Sequence, residues 1–361
     1  MDDLQEFFTN NLMEWFAQNH RPLPWKGEKN PYYVWLSEII LQQTRVEQGL
    51  PYFERFQEKY PRIEDLAQAP EDEVMKLWEG LGYYSRARNL HFTAKMITDE
   101  LAGKFPDTYE EILRLKGVGT YTAAAIASFA FDLPHAVVDG NVYRVLARFF
   151  GIETAIDSTA GKKEFAALAQ RLLDKKRPAD YNQAIMDFGA TQCMPANPKC
   201  QICPLSSCCV AFQNDRIDRL PFKEKKIKKR DRYFNYFIFN QNDYVYLQKR
   251  TEKDIWQNLY EFPILETEQL IAGAADLLND QSWQLWTKMV DAKIVHQSKP
   301  YQQLLTHQKI IAQFWEVDIV GELLLTNAGI ISVKRKNLPN FAFPKIIDSY
   351  IKDKKNVLEL F

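Results

Sequence analysis

Cysteine is missing from almost the whole sequence. Among 361 residues there are five cysteines, and all of them lie between residues 193 and 209. A disulfide framework joins distant segments, so an odd and tightly clustered set of cysteines is a poor basis for one. The cysteines therefore argue against a disulfide-bonded secreted domain and favour a metal centre in a reducing compartment.

The sequence also lacks a long apolar run and an excess of charge of one sign. No stretch of about 18 apolar residues occurs, and the start, MDDLQEFFTN, is acidic and amphipathic rather than a signal peptide. The 46 lysines and arginines nearly balance the 47 aspartates and glutamates, which leaves a net charge of −1. We therefore expect a soluble cytoplasmic protein with no membrane contact, on which any surface for a polyanion is local.

The pattern of apolar and charged residues changes along the chain and predicts two domains. Residues 1–222 repeat apolar residues at spacings of three and four, between short Gly, Pro and Asn interruptions, which predicts many short helices. Residues 223–232, KEKKIKKRDR, contain seven basic and two acidic residues and are interpreted as a basic linker. The fold class predicted for the first domain is therefore mostly α.

Residues 233–361 have a different pattern and are predicted to form a separate α+β domain. The aromatic and β-branched segments YFNYFIF and DYVYLQKR flank a turn at NQND, which predicts a hairpin. Further strands are expected at IIAQFWEVDIV and GIISVK. Helices are expected around EQLIAGAADLL and from FPKIIDSYIK onward.

The cysteine spacing is C-x6-C-x2-C-x5-C, formed by Cys193, Cys200, Cys203 and Cys209, with Cys208 left over. Four thiolates suit either zinc or a [4Fe–4S] cluster. Structural zinc sites usually pair two C-x2-C units, and only one such unit is present here. The spacing therefore favours the iron–sulfur cluster, with Cys208 as a neighbouring thiol that is not a ligand.

The segment LKGVGTYTAAAI places two glycines around one apolar residue between two helical patterns. Gly117 and Gly119 permit backbone shapes that a side chain forbids, and Val118 lies between them. The turn would present backbone amides at the start of the second helix, where an anion such as a DNA phosphate is favoured. The alternative is an ordinary corner between two packed helices.

Two carboxylates stand out from their surroundings. Glu38 shares a helical face with Val34, Trp35 and Leu41, and burial there would raise its pKa and help it keep a proton near neutral pH. Asp139 follows two valines and precedes a helix. One carboxyl group can protonate a leaving base while another stabilises the sugar cation, as in glycoside hydrolysis. The alternatives are a structural buried glutamate and a helix N-cap.

These features resemble the endonuclease III superfamily of helix–hairpin–helix DNA glycosylases, and within it the adenine DNA glycosylase family (MutY). The segments that carry the resemblance occur in family order: RPLPWKGEKNPYYVWLSEIILQQTRV, GLGYYSRARNL, LKGVGTYTAAAI, VVDGNVYRV and the cysteine loop. The resemblance implies that Glu38 is the acid that protonates adenine at N7 and then helps to activate water. It implies that Asp139 stabilises the oxocarbenium ion, by charge or as a covalent adduct, beside Tyr121 and Asn141.

The resemblance also assigns residues to the base and to the duplex. The positions around the flipped adenine are Arg21, Leu23, Trp25 and Gln183. The positions that wedge into or contact the duplex are Gln43, Thr44 and Tyr83, together with the hairpin residues 117–119. Core packing is the alternative role for Trp25 and Tyr83. At residue 26 a lysine stands where relatives often have arginine, which keeps the charge without the planar fork.

Tyr121 separates two branches of the superfamily. Glycosylases that also cut the DNA strand have a lysine at this position, whose amine forms a Schiff base with the sugar. Tyrosine does not form one, and Lys116 lies before the hairpin rather than at this position. The resemblance therefore implies a monofunctional enzyme.

The C-terminal domain resembles the family's oxoguanine-recognition domain, which is similar to Nudix hydrolases. The glutamate-rich Nudix metal box is missing, so no pyrophosphate hydrolysis is expected. Leu305, Thr306 and His307 align with a Phe-Ser-His loop that reads 8-oxoguanine, with two of its three residues replaced.

The expected protein is a monomer that acts on double-stranded DNA containing A:8-oxoguanine or A:G mispairs, at the bacterial nucleoid. Two rivals stay open. One is an endonuclease III-like glycosylase and lyase for oxidised pyrimidines. The other is a DNA-binding protein without catalytic activity.

Overall fold

The structure is a computed structural model that describes residues 2–19, 21–224, 229–288, 290–321 and 329–358. The α-helices of these residues are α1 (Asp2–Gln18), α2 (Pro31–Leu41), α3 (Val46–Lys59), α4 (Ile63–Gln68), α5 (Glu71–Leu77), α6 (Ser85–Glu100), α7 (Tyr109–Arg114), α8 (Thr120–Phe131), α9 (Gly140–Phe150), α10 (Thr159–Leu172), α11 (Pro178–Thr191), α12 (Val210–Gln213), α13 (Ala274–Leu278), α14 (Gln281–Thr287) and α15 (Lys345–Leu358). Short 3₁₀ helices cover Cys200–Ile202, Ser206–Cys208 and Arg335–Asn340.

The strands follow the last helix of the cysteine region. They are β1 (Arg230–Gln241), β2 (Tyr244–Lys249), β3 (Tyr260–Glu261), β4 (Ile264–Thr267), β5 (Val290–Gln297), β6 (Tyr301–Leu304), β7 (Gln308–Gly321) and β8 (Ile330–Lys334). No helix in the described ranges is long and apolar enough to cross a membrane.

The chain forms two compact units. The helical unit consists of residues 1–68 and 89–226, and the sheet unit consists of residues 69–88 and 227–361. The segment 69–88 interrupts the helical sequence and packs with the sheet unit. There, Asp72 accepts hydrogen bonds from Lys249 Nζ at 2.5 Å and from the Tyr260 hydroxyl at 2.8 Å. The sequence pattern did not indicate this exchange of residues 69–88, because α5 and its flanks are as helical as their neighbours.

Capping residues mark the ends of helices in the helical unit. Asn30 caps α2 by accepting from the Tyr32 amide at 3.0 Å, with Pro31 in the first turn, and Gly151 ends α9 at a φ of 71°. Helix α2 is buried on nearly all sides, and α11 packs against α1, α8 and α9. Glu38 on α2 and Gln183 on α11 therefore lie on helices that the core holds on several sides.

The sheet unit contains one sheet with the strand order β3-β2-β1-β7-β5, to which β4, β6 and β8 are added at β1, β7 and β2. Strands β1 and β2 form the predicted antiparallel hairpin. Strand β1 also pairs in parallel with β7 along eleven residues from Arg230 to Asn240. A cluster that includes Phe237, Trp283 and Trp315 packs on this sheet. The predicted class, a mostly α domain followed by a smaller α+β domain, is confirmed.

Two local expectations need correction. The helix predicted around EQLIAGAADLL is limited to α13, because Gly273 is extended at a φ of −161° and caps a helix that begins only at Ala274. The predicted linker 223–232 is shortened, because β1 begins at Arg230 through its pairing with Gln308 of β7. Linker residues 225–228 lie outside the described residues.

Candidate active site

Helix α2 brings a carboxyl group into the core of the helical unit. Glu38 is 7% exposed and is surrounded along α2 by buried apolar residues. Burial raises its pKa to about 7, and the nearby charge of Asp139 adds to the rise, whereas a hydrogen bond from Tyr121 opposes it. The side chain therefore holds a proton at a pH where an ordinary glutamate has lost it.

Asp139 lies at the N-cap of α9, where three N–H groups point at its carboxylate. The backbone amides of Asn141 and Val142 each donate to its Oδ1 at 2.8 Å, and the Asn141 side-chain amide donates to its Oδ2 at 2.7 Å. Burial raises the pKa of Asp139, and these donors act in the opposite direction because they favour the charged form. The residue is thus a helix cap, and it also lines the cavity described below.

Tyr121 stands in the first turn of α8, next to both carboxyl groups. Its hydroxyl is within hydrogen-bonding reach of Glu38 and lies 3.6 Å from the Met186 sulfur. Burial, followed by the charges of Glu38 and Asp139, raises the Tyr121 pKa well above its ordinary value. The phenol is therefore a neutral donor between the two acids rather than a nucleophile.

A cavity of about 1540 Å³ opens onto these groups. The sequence-predicted residues that line it are Arg21, Leu23, Trp25, Glu38, Gln43, Thr44, Gly119, Tyr121, Asp139, Asn141 and Gln183. Trp25 packs edge-on against Phe53 with ring centroids 5.3 Å apart, so one side of its indole is fixed by the core while the residue lines the cavity. The structure thus brings together the residues predicted for the acid, the stabiliser and the base pocket.

Gln43 lies just after the end of α2 and has an unusual backbone conformation. It is exposed and has a φ of 56°, the left-handed region that residues other than glycine seldom adopt. Such conformations occur preferentially at functional sites, where the surrounding structure compensates for the strain. Gln43 and Thr44 stand at the rim of the cavity, after the helix that carries Glu38.

A hydrogen-bonded relay behind Asp139 was not predicted from the sequence. Arg144 Nη2 donates to Asn141 Oδ1 at 2.8 Å and to the Gly189 carbonyl at 2.6 Å, and its Nε donates to the Cys193 carbonyl at 2.7 Å. One guanidinium group therefore connects the partner of Asp139 with the first residue of the cysteine loop. The signal in the sequence was an arginine at a buried position of the α9 pattern.

A second arginine, one helical turn later, holds the same loop. Arg148 is 2% exposed and donates to the Met194 carbonyl at 2.7 Å and to the Pro195 carbonyl at 3.1 Å. Its Nε donates to the Leu220 carbonyl at 3.0 Å. Buried arginines are retained where several carbonyls converge on their N–H groups, so α9 serves as the support of the cysteine loop.

The cysteine loop surrounds a second, smaller cavity. It is lined by Cys193, Cys200, Cys203 and Cys209, whereas Cys208 does not line it. In the described ranges, no three Cys, His, Asp or Glu side chains converge closely enough to hold a single metal ion. The structure therefore places four of the five thiols around one cavity and leaves Cys208 outside its lining.

The hairpin between α7 and α8 has the shape that its glycines predict. Gly117 has a φ of 84°, and a Cβ there would lie 2.8 Å from the Asn89 Cβ. The Val118 amide donates to the Leu115 carbonyl at 3.1 Å, and Val118 is buried. Gly119 begins α8 without a side-chain cap, so the first amides of this twelve-residue helix have no capping side chain. These amides are suited to an anion.

In the sheet unit, residues 305–307 form the turn between β6 and β7. Leu305 and Thr306 are half-buried and His307 is exposed. The Tyr83 hydroxyl lies 2.5 Å from the Thr306 Oγ1, and both residues belong to this unit. Tyr83 is 46% exposed at a φ of 48°, with the Arg86 guanidinium 5.6 Å from its ring. The predicted wedge and the predicted lesion-reading loop therefore touch each other.

Comparison with known proteins agrees with this geometry. Residues 36–174 match the HhH-GPD superfamily base excision DNA repair proteins, and residues 235–353 match the NUDIX domain. A structure of a non-covalent endonuclease III–DNA complex has a TM-score of 0.52 at 24% identity, over 58% of this chain and 95% of that chain. This likeness shows the fold of the helical part.

Two relatives extend the match. The chain is 46% identical to the adenine DNA glycosylase of Mus musculus over 221 residues, which cover 59% of this chain and 42% of the mouse protein. It is 38% identical to the adenine DNA glycosylase of Buchnera aphidicola subsp. Baizongia pistaciae (strain Bp) over 263 residues, 71% of this chain and 73% of that protein. At this identity over nearly three quarters of a relative, the chain belongs to the adenine DNA glycosylase family.

Proposed function

We propose that this chain is a monofunctional adenine DNA glycosylase of base excision repair, which removes adenine paired with 8-oxoguanine or guanine. The observation that carries the proposal is the shared cavity of Glu38 and Asp139. The pKa of Glu38 is raised to about 7, whereas Asp139, whose pKa burial also raises, accepts three hydrogen bonds that favour its charged form. Glycosidic bond cleavage needs such a pair, because one group must give a proton and the other must face a cation.

In the proposed reaction Glu38 protonates adenine at N7. The bond between C1′ and N9 then breaks, its electron pair leaves with the base, and the sugar becomes an oxocarbenium ion. Asp139 stabilises this cation through its negative charge, either directly or as a transient adduct at C1′. Water adds at C1′ and gives a proton to the Glu38 carboxylate, so the products are free adenine and an abasic site.

The neighbours of the two acids have separate tasks in this proposal. Tyr121 keeps a neutral hydroxyl beside Glu38, and Asn141 holds one oxygen of Asp139. Adenine would enter between Trp25, Leu23, Arg21 and Gln183, which share the cavity with the acids. An adenine can reach these groups only after it leaves the duplex, which costs a few kcal/mol of unstacking. Gln43 and Tyr83 are proposed to offset that cost by insertion.

Double-stranded DNA would be held by contacts that do not read sequence. The hairpin at Gly117, Val118 and Gly119 supports this proposal, because the uncapped amides of α8 favour a phosphate. The sheet unit supports recognition of the opposite base, since Thr306 offers a hydroxyl and His307 an exposed imidazole. We propose that the sheet unit, predicted from the sequence as residues 233–361, is the 8-oxoguanine-recognition domain, that the helical unit, predicted as residues 1–222, is the catalytic domain, and that the protein acts as a monomer.

A [4Fe–4S] cluster is proposed as the resident cofactor, held by the thiolates of Cys193, Cys200, Cys203 and Cys209. The fit rests on the four thiols that line one cavity and on the carbonyls of residues 193–195, which two buried arginines hold in place. When bound, the cluster would crosslink the loop through its four thiolate ligands. Hydrolysis of a glycosidic bond needs no electron transfer, so this structural role is sufficient for the proposed reaction. The arginines Arg144 and Arg148 orient the loop that presents the first ligand.

A duplex assay tests the proposed function. Duplexes containing A:8-oxoguanine, A:G, A:T or an oxidised pyrimidine are incubated with the enzyme, and abasic sites are revealed by alkali. We expect cleavage of the first two only. Borohydride should trap no covalent adduct with the wild type, because Tyr121 offers no amine for a Schiff base. Efficient trapping on an oxidised-pyrimidine duplex would instead support the endonuclease III-like rival. DNA binding without abasic sites would support the non-catalytic rival.

A further inference from the structure

A buried ion pair lies in the wall of the cavity, apart from the two acids. The Lys26 ammonium contacts Asp187 Oδ2 at 2.5 Å, and the side chains of Lys26 and Asp187 are 10% and 5% exposed. The other carboxylate oxygen, Oδ1, accepts a hydrogen bond from the Gln183 Nε2 at 3.2 Å. Gln183 and Asp187 are four residues apart on α11, so their side chains lie on the same helical face. All three residues line the cavity.

Stability is a weak reason for this arrangement. A buried ion pair loses hydration on both partners, and its Coulomb attraction often only offsets that loss. Packed apolar side chains in the same place would be equally stable or more so. A role in arranging a neighbouring group is therefore the better physical account of the pair.

The carboxylate restricts the orientation of the Gln183 amide. An ionised aspartate only accepts hydrogen bonds, so the amide end that faces Asp187 must be the NH2 group. Rotation of the amide by half a turn would place its carbonyl oxygen against the carboxylate oxygen. Lys26 reinforces this restriction, because its ammonium contacts the other carboxylate oxygen and holds the Asp187 side chain in place. The Gln183 carbonyl oxygen, an acceptor, is then turned away from Asp187 and is available to a ligand, beside the second N–H of the same amide.

We propose that Asp187, together with Lys26, is a positioning residue that fixes the Gln183 amide so that the site selects a purine with an amine at C6. This inference rests on the proposed function and adds the origin of base selectivity to it. Adenine presents a donor at C6, which the Gln183 oxygen accepts. Hypoxanthine has the same ring size but presents a carbonyl oxygen at C6, which would meet that acceptor without a proton between them.

The test compares adenine with hypoxanthine, each placed opposite 8-oxoguanine in the same duplex. Single-turnover rates of base release are measured for the wild type and for Asp187→Asn. An asparagine at 187 can either donate to or accept from Gln183, so the Gln183 amide becomes free to turn. We expect the ratio of the adenine rate to the hypoxanthine rate to fall about tenfold, the size of one hydrogen bond to a polar partner. A general loss of activity would lower both rates and leave the ratio unchanged.

Two further variants make the result decisive. Asp99→Asn is the matched control, because it makes the same change at an exposed helical position of the same unit, away from the residues that line the cavity, and its rate ratio should equal that of the wild type. Lys26→Met combined with Asp187→Asn removes the lysine that the single change leaves unpaired. This double variant should lower the ratio of the adenine rate to the hypoxanthine rate by the same factor. Circular dichroism reports whether each variant folds.

The possible failures can be separated. If the wild type releases adenine and the folded Asp187 variants keep the wild-type ratio within about twofold, the positioning role is wrong while the proposed function stands. An equal fall of the rate ratio in Asp99→Asn would also overturn the positioning role. A wild type that releases no adenine overturns the proposed function and this inference with it.

Discussion

Gly189 lies against Asn141 so closely that a Cβ at residue 189 would stand 2.6 Å from the Asn141 Cβ. The added Cβ would also lie 3.1 Å from the Asn141 Cα and from the Asn141 carbonyl oxygen, so the backbone itself would have to move. Asn141 is the residue whose amide holds Asp139 Oδ2 at 2.7 Å. The contact between α9 and α11 therefore sets the position of the proposed cation stabiliser.

Gly189→Ala should both slow adenine release and destabilise the protein. Overpacking of this kind costs roughly 1–3 kcal/mol of unfolding free energy, and displacement of a reacting group costs on the order of 100-fold in rate. Single-turnover rates and urea unfolding measure the two effects. Gly273→Ala is the control, because a Cβ there meets nothing within 4 Å, and it should leave the rate unchanged. Wild-type rates in Gly189→Ala would show that this contact does not govern Asp139.

The pH dependence of the reaction should report Glu38. Its pKa is raised to about 7, chiefly by burial, and the protonated form is the one that can donate to adenine. The single-turnover rate should therefore be highest below about pH 7 and fall up to tenfold for each pH unit above it. In Glu38→Gln the residual rate should not fall as the pH rises above about 7. An unchanged decline in that variant would assign the pH dependence to another group.

Stability should depend on pH through the same carboxyl group. The folded-state pKa lies above the unfolded value of 4.5, so the stabilising contribution is complete below about pH 4.5 and is lost as the pH rises through about 7. A shift from 4.5 to about 7 corresponds to about 3 kcal/mol. Urea unfolding at several pH values should show the wild type losing stability relative to Glu38→Gln over this range. Parallel stability curves would mean that Glu38 is not buried as described.

Removal of single thiols should separate the cluster ligands from the spare cysteine. Cys200→Ser should abolish the visible absorbance of an iron–sulfur cluster and lower the bound iron, because Cys200 lines the cavity of the four thiols. Cys208→Ser should leave both unchanged, since Cys208 does not line that cavity. Absorbance spectra and iron analysis of the purified variants provide the measurement. Zinc in place of iron in the wild type would overturn the cluster assignment.

Thr306 should contribute to the choice of the opposite base. Its hydroxyl lies 2.5 Å from that of Tyr83, so a hydrogen-bonding partner holds it in place at the turn proposed to read the lesion. Thr306→Val keeps the shape and removes the hydroxyl, and it should reduce the preference for A:8-oxoguanine over A:G by roughly tenfold. Thr251→Val, a change at an exposed position of the same unit, should leave this preference unchanged. An unaltered preference in Thr306→Val would exclude the hydroxyl from lesion recognition.

The parts of the site that follow from local sequence were predictable. Glu38 is a lone acid on an apolar helix, and Asp139 directly precedes a helix, so both their burial and their capping geometry could be anticipated. The cysteine spacing and the two hairpin glycines are also local patterns. The predicted hairpin of β1 and β2 needed only a turn and two strand-like segments.

The remaining features depend on contacts between distant segments. The relay from Arg144 to Asn141 and Cys193 needs α9 to face the cysteine loop, and periodicity does not reveal which helices face each other. The same holds for the pair of Lys26 and Asp187, which are 161 residues apart. The parallel pairing of β1 with β7 and the packing of residues 69–88 with the sheet unit also arise only in the folded chain.

The most direct test of the account is single-turnover adenine release from an A:8-oxoguanine duplex by the wild type and by Glu38→Gln. Glutamine has nearly the same shape as glutamate but no acidic proton, so proton donation to the leaving base is lost. General acid catalysis contributes about 100-fold to 10,000-fold to a rate, and we expect a loss of that size in a variant that still folds and binds the duplex. Equal rates for the two proteins would contradict the assignment of Glu38 as the acid.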